Sequence, residues 1–272
     1  MLRLLALDFD GVISDSAPEA FVVALRTFAG TRPGSRVARE AMEISPALAQ
    51  GVPSREQVLA HPLYPAFLEL MPLGNRAEDY GVVLDALEAG APLPDQPSYD
   101  GWRDRIDREW LRAFHKSFYR VRAGLSETDA LGWAALMGPY PELPGILRRH
   151  AGEVLLAIAT AKDRRSVGRL LRRYGIDDLF PEERVLDKET GVSKAEHLAH
   201  LHAKLGIPYP EMAFLEDKVN HLDAAAPLGV RCALAAWGYN GEREIRQARA
   251  RGYLVCTLAD VERQLFDAPA PR

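Results

Sequence analysis

The sequence predicts an α/β protein with a doubly wound, parallel (Rossmann-like) sheet and an all-helical domain inserted after the first strand. From about residue 152 onward, short apolar runs alternate with amphipathic segments of helical periodicity. This alternation is typical of a parallel sheet covered by helices. From about residue 17 to residue 138, helical patterns occur without a clear series of strands, which predicts a separate helical domain.

The first predicted strand is the apolar run from Leu4 to Leu7, which ends in Asp8-Phe9-Asp10-Gly11. Open α/β sheets bind their ligands at the carboxyl ends of strands, where these acids lie. A glycine allows the chain to turn at once, so that Asp8 and Asp10 can both reach one site. Two carboxylates in an apolar setting are costly unless they share a cation. The pattern therefore predicts a Mg²⁺ site.

The helical segment begins at Ser16-Ala17-Pro18-Glu19, a capping-box pattern. Prolines between Ile44 and Tyr99 predict short helices and loops. Five apolar residues then recur at every fourth position: Trp102, Ile106, Trp110, Phe114 and Phe118. This spacing predicts one apolar helix face that forms the core of the segment, with a base-stacking stripe as the alternative.

The remaining elements of the α/β core follow in order. Strands are predicted at 154–159, 212–215 and 230–235, with Val255 in a last short strand, and helices at 164–174, 194–205 and 242–251. We therefore expect residues 1–16 and 139–272 to form the core domain and residues 17–138 to form the insert.

Composition narrows the function. The 272 residues carry a net charge of −4, which argues against a nucleic-acid partner. The apolar N-terminal run is too short for a signal peptide or a membrane span, so we expect no membrane partner. Cys232 and Cys256 lie in apolar stretches, which predicts buried free thiols and a cytoplasmic location. The sequence does not indicate an oligomeric state.

Three further motifs carry chemistry. The strand that ends at Thr160 is followed by Ala161-Lys162-Asp163 and a basic helix, a corner suited to phosphate. Lys194 opens an amphipathic helix and can neutralise transition-state charge, with Lys188 as the competing candidate. The apolar run from Phe214 ends in two acids, Glu216 and Asp217.

The segment DFDGVISDSAPEAF resembles the first motif of the haloacid dehalogenase (HAD) superfamily, especially its phosphoglycolate phosphatase-like and β-phosphoglucomutase-like branch. TAKDR resembles the TNK segment of that branch, with Ala161 where Asn is frequent. Gly191–Ala195 resembles the third motif, and Lys194 precedes Asp217 by 23 residues, close to the usual spacing. Glu216-Asp217 resembles the fourth motif.

The resemblance implies a role for each of these residues. Asp8 would be the nucleophile and Asp10 the general acid/base. Mg²⁺ would be held by Asp8, by Asp217 and by the backbone carbonyl of Asp10, with Glu216 binding a coordinated water. Thr160, Ala161 and Lys194 would contact the substrate phosphate.

The resemblance also implies that the helical insert is a cap over the active site. Arg76 is a candidate substrate contact in this cap. Seven Lys or Arg residues against three acids between Arg103 and Arg122 predict a solvated helix face, or else a surface that steers an anion. Many relatives carry an acid four residues after Asp217. His221 stands there in this chain, and Asp223 is a possible substitute.

The expected function is a Mg²⁺-dependent phosphatase that hydrolyses a small phosphorylated metabolite through an aspartyl phosphate. The alternative is a β-phosphoglucomutase-like mutase, which Ala20 disfavours because those enzymes carry His shortly into the cap. Asp10 argues against dehalogenases and phosphonatases, which lack the second acid. A non-catalytic phosphate-responsive protein is a third hypothesis.

Trp237 and Tyr239 are interpreted as residues at the mouth of the site, or as packing residues.

Overall fold

The computed structural model describes residues 1–74, 76–191 and 193–267. The chain divides into two compact units, one formed by Met1–Asp15 with Gly138–Arg272 and the other by Ser16–Met137. Asn75, which directly precedes Arg76, and Val192, two residues before Lys194, lie outside the described residues.

The secondary structure elements of the described residues are as follows. The strands are β1 (Leu4–Leu7), β2 (Ser14–Asp15), β3 (Gly138–Pro139), β4 (Leu155–Ala159), β5 (Val185–Leu186), β6 (Met212–Glu216), β7 (Arg231–Ala235) and β8 (Leu254–Cys256). The helices are α1 (Ala17–Thr31), α2 (Arg36–Ile44), α3 (Arg55–Leu59), α4 (Tyr64–Leu70), α5 (Ala77–Ala89), α6 (Gln96–Arg103), α7 (Arg108–Thr128), α8 (Ala130–Ala135), α9 (Leu143–His150), α10 (Arg164–Tyr174), α11 (Lys194–Leu205), α12 (Val219–Ala225) and α13 (Glu242–Ala250).

The first unit is built on a six-stranded parallel sheet in the order β5-β4-β1-β6-β7-β8. The chain extends the sheet from β1 to β4 and β5 on one side, then returns to add β6, β7 and β8 on the other. Open sheets of this kind bind ligands where the strand order reverses, here between β1 and β6. The predicted doubly wound α/β fold is confirmed.

The sheet lies in the core of its unit because its central strands are apolar along their whole length. All four residues of β1 are buried, as are the five of β6, the pattern of strands covered on both faces. Leu4, Phe214 and Leu234 belong to one cluster of buried side chains on this sheet. The predicted strands and helices of the core lie within one residue of the observed bounds. The short edge strand β5 was not predicted, because two residues carry no periodicity.

The second unit is helical, and aromatic side chains fill its interior. Phe21 contacts Phe67 at a centroid distance of 5.3 Å, and Phe114 contacts Trp110 at 5.4 Å. The predicted single helix face from Trp102 to Phe118 is wrong. Helix α6 ends at Arg103, and the Asp107 carboxylate caps α7 by accepting from the backbone N–H groups of Glu109 and Trp110. An aspartate in this position begins a new helix.

Helix α1 begins where the sequence predicts, but the predicted capping box does not form. The Ser16 side chain makes no capping hydrogen bond. Glu19 is fully buried and accepts from Arg122 Nε at 2.8 Å, from Arg122 Nη2 at 2.7 Å and from Trp133 Nε1 at 3.0 Å. A buried carboxylate is retained where charged donors satisfy it. Glu19 therefore joins α1 to α7 and α8.

The cysteines and the apolar character of the helices complete the description. Cys232 and Cys256 are buried free thiols, as predicted. Across the described residues, none of the helices has both the length and the apolar character that a membrane crossing requires.

Candidate active site

The predicted site residues of the first unit meet at the carboxyl edge of β4, β1 and β6. Asp8 directly follows β1, Thr160 directly follows β4, and Glu216 is the last residue of β6. Leu7 of β1 lies opposite Ile158 of β4 and Leu215 of β6. Because parallel neighbours end at the same edge, this register places both acids and the threonine in one region of the unit.

The turn after β1 requires glycine at position 11. Gly11 has φ +84°, and an added Cβ would collide with the Asp217 carboxylate. The turn is closed by the Ser14 N–H, which donates to the Phe9 carbonyl at 2.8 Å, and by the Gly11 N–H, which donates to the Ser14 carbonyl at 2.8 Å. Only glycine satisfies both the backbone conformation and the space.

Lys194 is placed in the site by the start of α11. Ser193 caps this helix by accepting from the Glu196 N–H at 3.2 Å, which fixes Lys194 in the first turn. The Lys194 ammonium is buried, 2.7 Å from Asp8 Oδ1 and 3.1 Å from Glu216 Oε2, and it donates to the Ala159 carbonyl at 2.7 Å. Lys188, the competing candidate, is exposed.

Asp8, Glu216 and Asp217 form a buried cluster whose carboxylate oxygens lie within 4.8 Å of one another. Burial raises the pKa of Asp8 to about 6, with a further contribution from the Glu216 charge and opposition from Lys194. Burial and the adjacent Glu216 charge also raise the pKa of Asp217 well above its usual value. Both groups resist ionisation because they are buried beside the negative charge of Glu216.

Glu216 and Lys194 form the ionised pair of the cluster. Burial alone would raise the pKa of Glu216, but Lys194 and His221 outweigh it and lower this pKa below its usual value. Burial would likewise lower the pKa of Lys194, whereas Asp8 and Glu216 raise it. The His221 Nδ1 atom lies 3.2 Å from Glu216 Oε2. The histidine at the position where relatives carry an acid therefore contacts Glu216.

The donor set suits Mg²⁺. Carboxylate oxygens are the hard ligands this ion prefers, and the excess negative charge of the cluster is what a divalent cation offsets. One carboxylate oxygen of Glu216 is already used within the protein, because Oε1 accepts from the backbone N–H groups of Asp217 and Lys218 at 3.1 and 3.2 Å. Asp223 does not supply the missing outer acid, since Tyr253 and Arg251 bind its carboxylate at 2.7 and 2.8 Å.

The corner after β4 contributes a cation that the sequence did not single out. Thr160 is buried, its hydroxyl accepts from the Lys162 N–H at 3.2 Å, and Ala161 is exposed. The Lys162 ammonium lies 3.0 and 3.3 Å from the two oxygens of Asp10. Asp8 and Asp10 are therefore paired with different lysines. The signal available in the sequence was the position of Lys162, three residues past the end of β4, a strand adjacent to β1.

The loop after β7 holds the acids in place. The Tyr239 N–H donates to Asp217 Oδ2 at 2.8 Å, and the Asn240 amide donates to the Asp217 carbonyl at 3.1 Å. The Trp237 indole N–H donates to the Val12 carbonyl at 3.1 Å. Between them, Gly238 packs so closely that an added Cβ would collide with Asp217 and with the Gly11 carbonyl. The sequence indicated this loop through Trp237 and Tyr239, but it assigned no role to Gly238 and did not indicate Asn240.

Arg76 belongs to the helical unit. It immediately precedes α5, where its backbone N–H donates to Asp79 Oδ2 at 2.9 Å, and its side chain is exposed. Its contact with substrate stays a prediction.

The structure thus combines an α/β fold with a buried acidic cluster at the carboxyl edge of a parallel sheet. A model of the haloacid dehalogenase-like hydrolase family matches residues 2–229. The chain therefore belongs to the haloacid dehalogenase-like hydrolase family, as the resemblance of its motifs predicted.

Curated relatives match part of the chain. Tyrosine-protein kinase PtkA from Mycobacterium tuberculosis is 35% identical over 160 residues, which cover 55% of this chain and 53% of the kinase. Phosphoglycolate phosphatase from Aliivibrio fischeri is 28% identical over 142 residues, which cover 51% of this chain and 59% of that enzyme. The chain thus spans about half the length of the curated relatives it matches.

Solved structures resemble the whole chain in fold. A protein from Haemophilus somnus described as a predicted phosphoglycolate phosphatase superposes with a TM-score of 0.61 at 18% identity, covering 96% of both chains. A haloacid dehalogenase-like family hydrolase from Streptococcus pneumoniae gives a TM-score of 0.59 at 12% identity, also covering 96% of both chains.

Proposed function

We propose that the protein is a Mg²⁺-dependent phosphatase that hydrolyses a small phosphorylated metabolite through an aspartyl phosphate on Asp8. The observation that carries this proposal is the buried Asp8–Lys194 contact of 2.7 Å beside Glu216 and Asp217. A carboxylate held next to an ammonium, at the edge where α/β sheets bind ligands, suits attack on an anionic phosphorus centre.

The first chemical step uses Asp8 and Asp10. An Asp8 oxygen attacks phosphorus as the bond from phosphorus to the leaving oxygen breaks, and Asp10 gives that oxygen a proton. Lys194 offsets the charge on the phosphoryl oxygens, and the Thr160 hydroxyl and the backbone at Ala161 bind them. Mg²⁺ bound by Asp8, Asp217 and the Asp10 carbonyl, with Glu216 nearby, would supply charge neutralisation between the phosphate and Asp8.

The second step returns the enzyme to its starting state. Asp10 accepts a proton from water, the water oxygen attacks phosphorus, and the bond between phosphorus and Asp8 breaks to release phosphate. The Lys162 ammonium lies 3.0 Å from Asp10, and the ionised form of Asp10 is the form that this step requires. The first step requires the protonated form, so Asp10 must take up a proton before the leaving group departs.

We also propose that Ser16–Met137 acts as a cap that excludes water and selects the leaving group. Arg76 is the proposed substrate contact from this unit. A cytoplasmic location and a small-molecule partner, without nucleic acid or membrane, accord with the two free thiols and the net charge of −4.

Phosphate release from a panel of small phosphomonoesters, measured with Mg²⁺ and with EDTA, tests the proposal. The panel includes phosphoglycolate, sugar phosphates and nucleotides. We expect Mg²⁺-dependent release by the wild-type protein and a loss of about 10⁴-fold in Asp8→Asn. Asp10→Asn should accumulate acid-stable phosphoenzyme. Retention of more than about a tenth of the activity in Asp8→Asn contradicts the assignment of the nucleophile.

Two other phosphoryl transfers share this chemistry up to the phosphoenzyme. Transfer to a tyrosine hydroxyl is favoured by the 35% identity to a protein named as a tyrosine kinase. Transfer to a sugar hydroxyl, as in β-phosphoglucomutases, is the second, and Ala20 disfavours it. Incubation with ATP and a tyrosine-containing protein tests the first alternative, and β-glucose 1-phosphate tests the second. Product formed on either acceptor, with no release of phosphate to water, would replace the phosphatase proposal.

A further inference from the structure

The helical unit contains a cavity of about 390 Å³ that shares no lining residue with the acidic cluster. Its wall consists of the end of α6, the turn into α7, the first half of α7 and one residue at the start of α5. This volume lies within the range of sites for small molecules.

One wall of the cavity is a row of cations. Arg108, Arg112 and Lys116 are four residues apart on α7, so they share one helix face over a rise of about 12 Å. Within residues 1–74, 76–191 and 193–267, the side chains of these three residues form no ion pair or hydrogen bond. Like charges at this spacing destabilise a helix slightly. An anion bound between them would reverse that cost.

The remaining charged residues of the lining leave the cavity with a net positive charge. Arg103, the fourth cation, lies 3.0 Å from Asp79 Oδ1. The lining acids are Glu78 and Asp104, and Glu78 is held at 2.7 Å by His115 Nδ1 and at 3.9 Å by Arg103. Four cations therefore face two acids, and one residue of each kind, Arg103 and Glu78, is already paired.

Ile106 and Leu111 add apolar surface to the cavity. Both side chains belong to the buried core of the unit, with 8% of their surface exposed. The site thus combines separated cations with an apolar floor, which favours an organic anion over a bare inorganic one.

The cavity lies at the end of the helical unit that is remote from the points where the chain enters and leaves it. The Trp110 indole N–H donates to the Thr31 carbonyl at the end of α1, at 3.4 Å, whereas Arg122 pairs with Glu19 in the first turn of α1. Arg112 precedes Arg122 by ten residues, or about 15 Å of helix. The chain enters the unit at Ser16 and leaves at Met137.

We propose that this cavity binds a small organic anion with two separated phosphate groups, held by Arg103, Arg108, Arg112 and Lys116. A single phosphate spans too little of the cation row to contact both of its ends. The proposal goes beyond the phosphatase function and does not depend on it, because binding here requires neither Mg²⁺ nor turnover.

Calorimetric titration of the full chain with fructose 1,6-bisphosphate in EDTA tests the proposal. Fructose 6-phosphate and inorganic phosphate are the comparison probes. We expect the bisphosphate to bind more tightly than either, and Arg112→Gln to weaken its binding about tenfold or more, the effect of one charged hydrogen bond. Arg120→Gln is the matched control, because it removes the same charge from an exposed residue of α7 that does not line the cavity.

Hydrogen exchange locates the bound probe. The bisphosphate should slow amide exchange in residues 103–116 in the wild-type protein and in Arg120→Gln, but not in Arg112→Gln. No binding at millimolar bisphosphate overturns the proposal. Equal loss of affinity in both variants would show attraction by general charge alone, and equal affinity for inorganic phosphate would show a site for a single anion. Either result rejects a bisphosphate site. Circular dichroism of each variant checks that the fold is retained.

Discussion

Removing the Lys194 ammonium should destabilise the protein strongly at neutral pH, because two buried carboxylates lose their counter-charge. Lys194→Met keeps most of the side-chain volume. The ammonium lies 2.7 Å from Asp8 and 3.1 Å from Glu216, and each contact contributes about 5 to 6 kcal/mol of Coulomb attraction at an effective dielectric constant of about 20. The desolvation of a buried ammonium offsets several kcal/mol of this.

Proton uptake limits the loss further. An acid that is left unpaired can become neutral, at a cost of about 1.4 kcal/mol for each pH unit above its pKa. We therefore expect the free energy of unfolding to fall by about 3 to 5 kcal/mol at pH 8, the usual cost of breaking a buried ion pair from one side.

The pH dependence has a defined sign. In Lys194→Met, the folded-state pKa values of Asp8 and Glu216 rise above their unfolded values of 3.8 and 4.5. Groups with a raised pKa lose stability as the pH rises through the folded value. The deficit of the variant should therefore be small near pH 4.5, grow through pH 6, where Asp8 titrates even in the wild-type protein, and be largest at pH 8.

Urea unfolding in EDTA at pH 4.5, 6 and 8 measures this deficit. Lys188→Met is the matched control, because Lys188 is the exposed lysine six residues earlier, and surface substitutions usually change stability by less than about 0.5 kcal/mol. A deficit below about 1 kcal/mol at pH 8, or one that does not grow with pH, would refute the argument that this ammonium is needed to ionise the cluster.

Three further predictions follow from the same contacts. Mg²⁺ should raise the melting temperature of the protein. Its apparent affinity should fall as the pH drops through about 6, since protons compete with the ion for Asp8 and Asp217, whose pKa values are raised. Calorimetry that shows the same affinity at pH 5 and pH 8 would contradict this. Gly238→Ala should cost about 1 to 3 kcal/mol and reduce activity, because its Cβ meets Asp217 and the Gly11 carbonyl. Its control is Gly145→Ala on α9, where an added Cβ would make only an ordinary contact with the flexible Arg149 side chain, at 3.6 Å; this variant should be neutral or stabilising in urea unfolding. Glu19→Ala should lower the free energy of unfolding by about 3 to 5 kcal/mol, because Arg122 and Trp133 lose the buried carboxylate that accepts from them. The control Glu127→Ala, at an exposed position of α7, should lower it by less than about 0.5 kcal/mol. Equal melting curves for these two variants would show that the buried pair does not stabilise the unit.

Much of the candidate site could be predicted from the sequence because its residues are polar side chains at the ends of apolar strands. Asp8 and Thr160 each stand directly after an apolar run, and Glu216 and Asp217 follow another. Once the runs are read as parallel strands, their carboxyl ends must share one edge of the sheet. Lys194 was selected over Lys188 for a similar local reason, since it begins an amphipathic helix, and the burial of Lys194 agrees with that choice.

Local patterns failed where a tertiary partner competed with a local one. The Ser16–Glu19 pattern predicts a capping box, but Arg122 and Trp133 offer the Glu19 carboxylate charged and buried donors that the local backbone cannot match. The four-residue repeat from Trp102 to Phe118 predicts a continuous helix. Ile106 instead lies in the turn that separates α6 from α7, and it is buried all the same.

The sequence by itself determined the fold class, the order of the core elements and the acids of the site, because periodicity and strand-end residues are properties of neighbouring positions. Only the tertiary structure decided which charges meet. Lys162 faces Asp10, His221 faces Glu216, and Arg251 binds Asp223. These pairs join residues from different elements, and burial sets the strength of each contact between charges. No spacing along the chain encodes that burial.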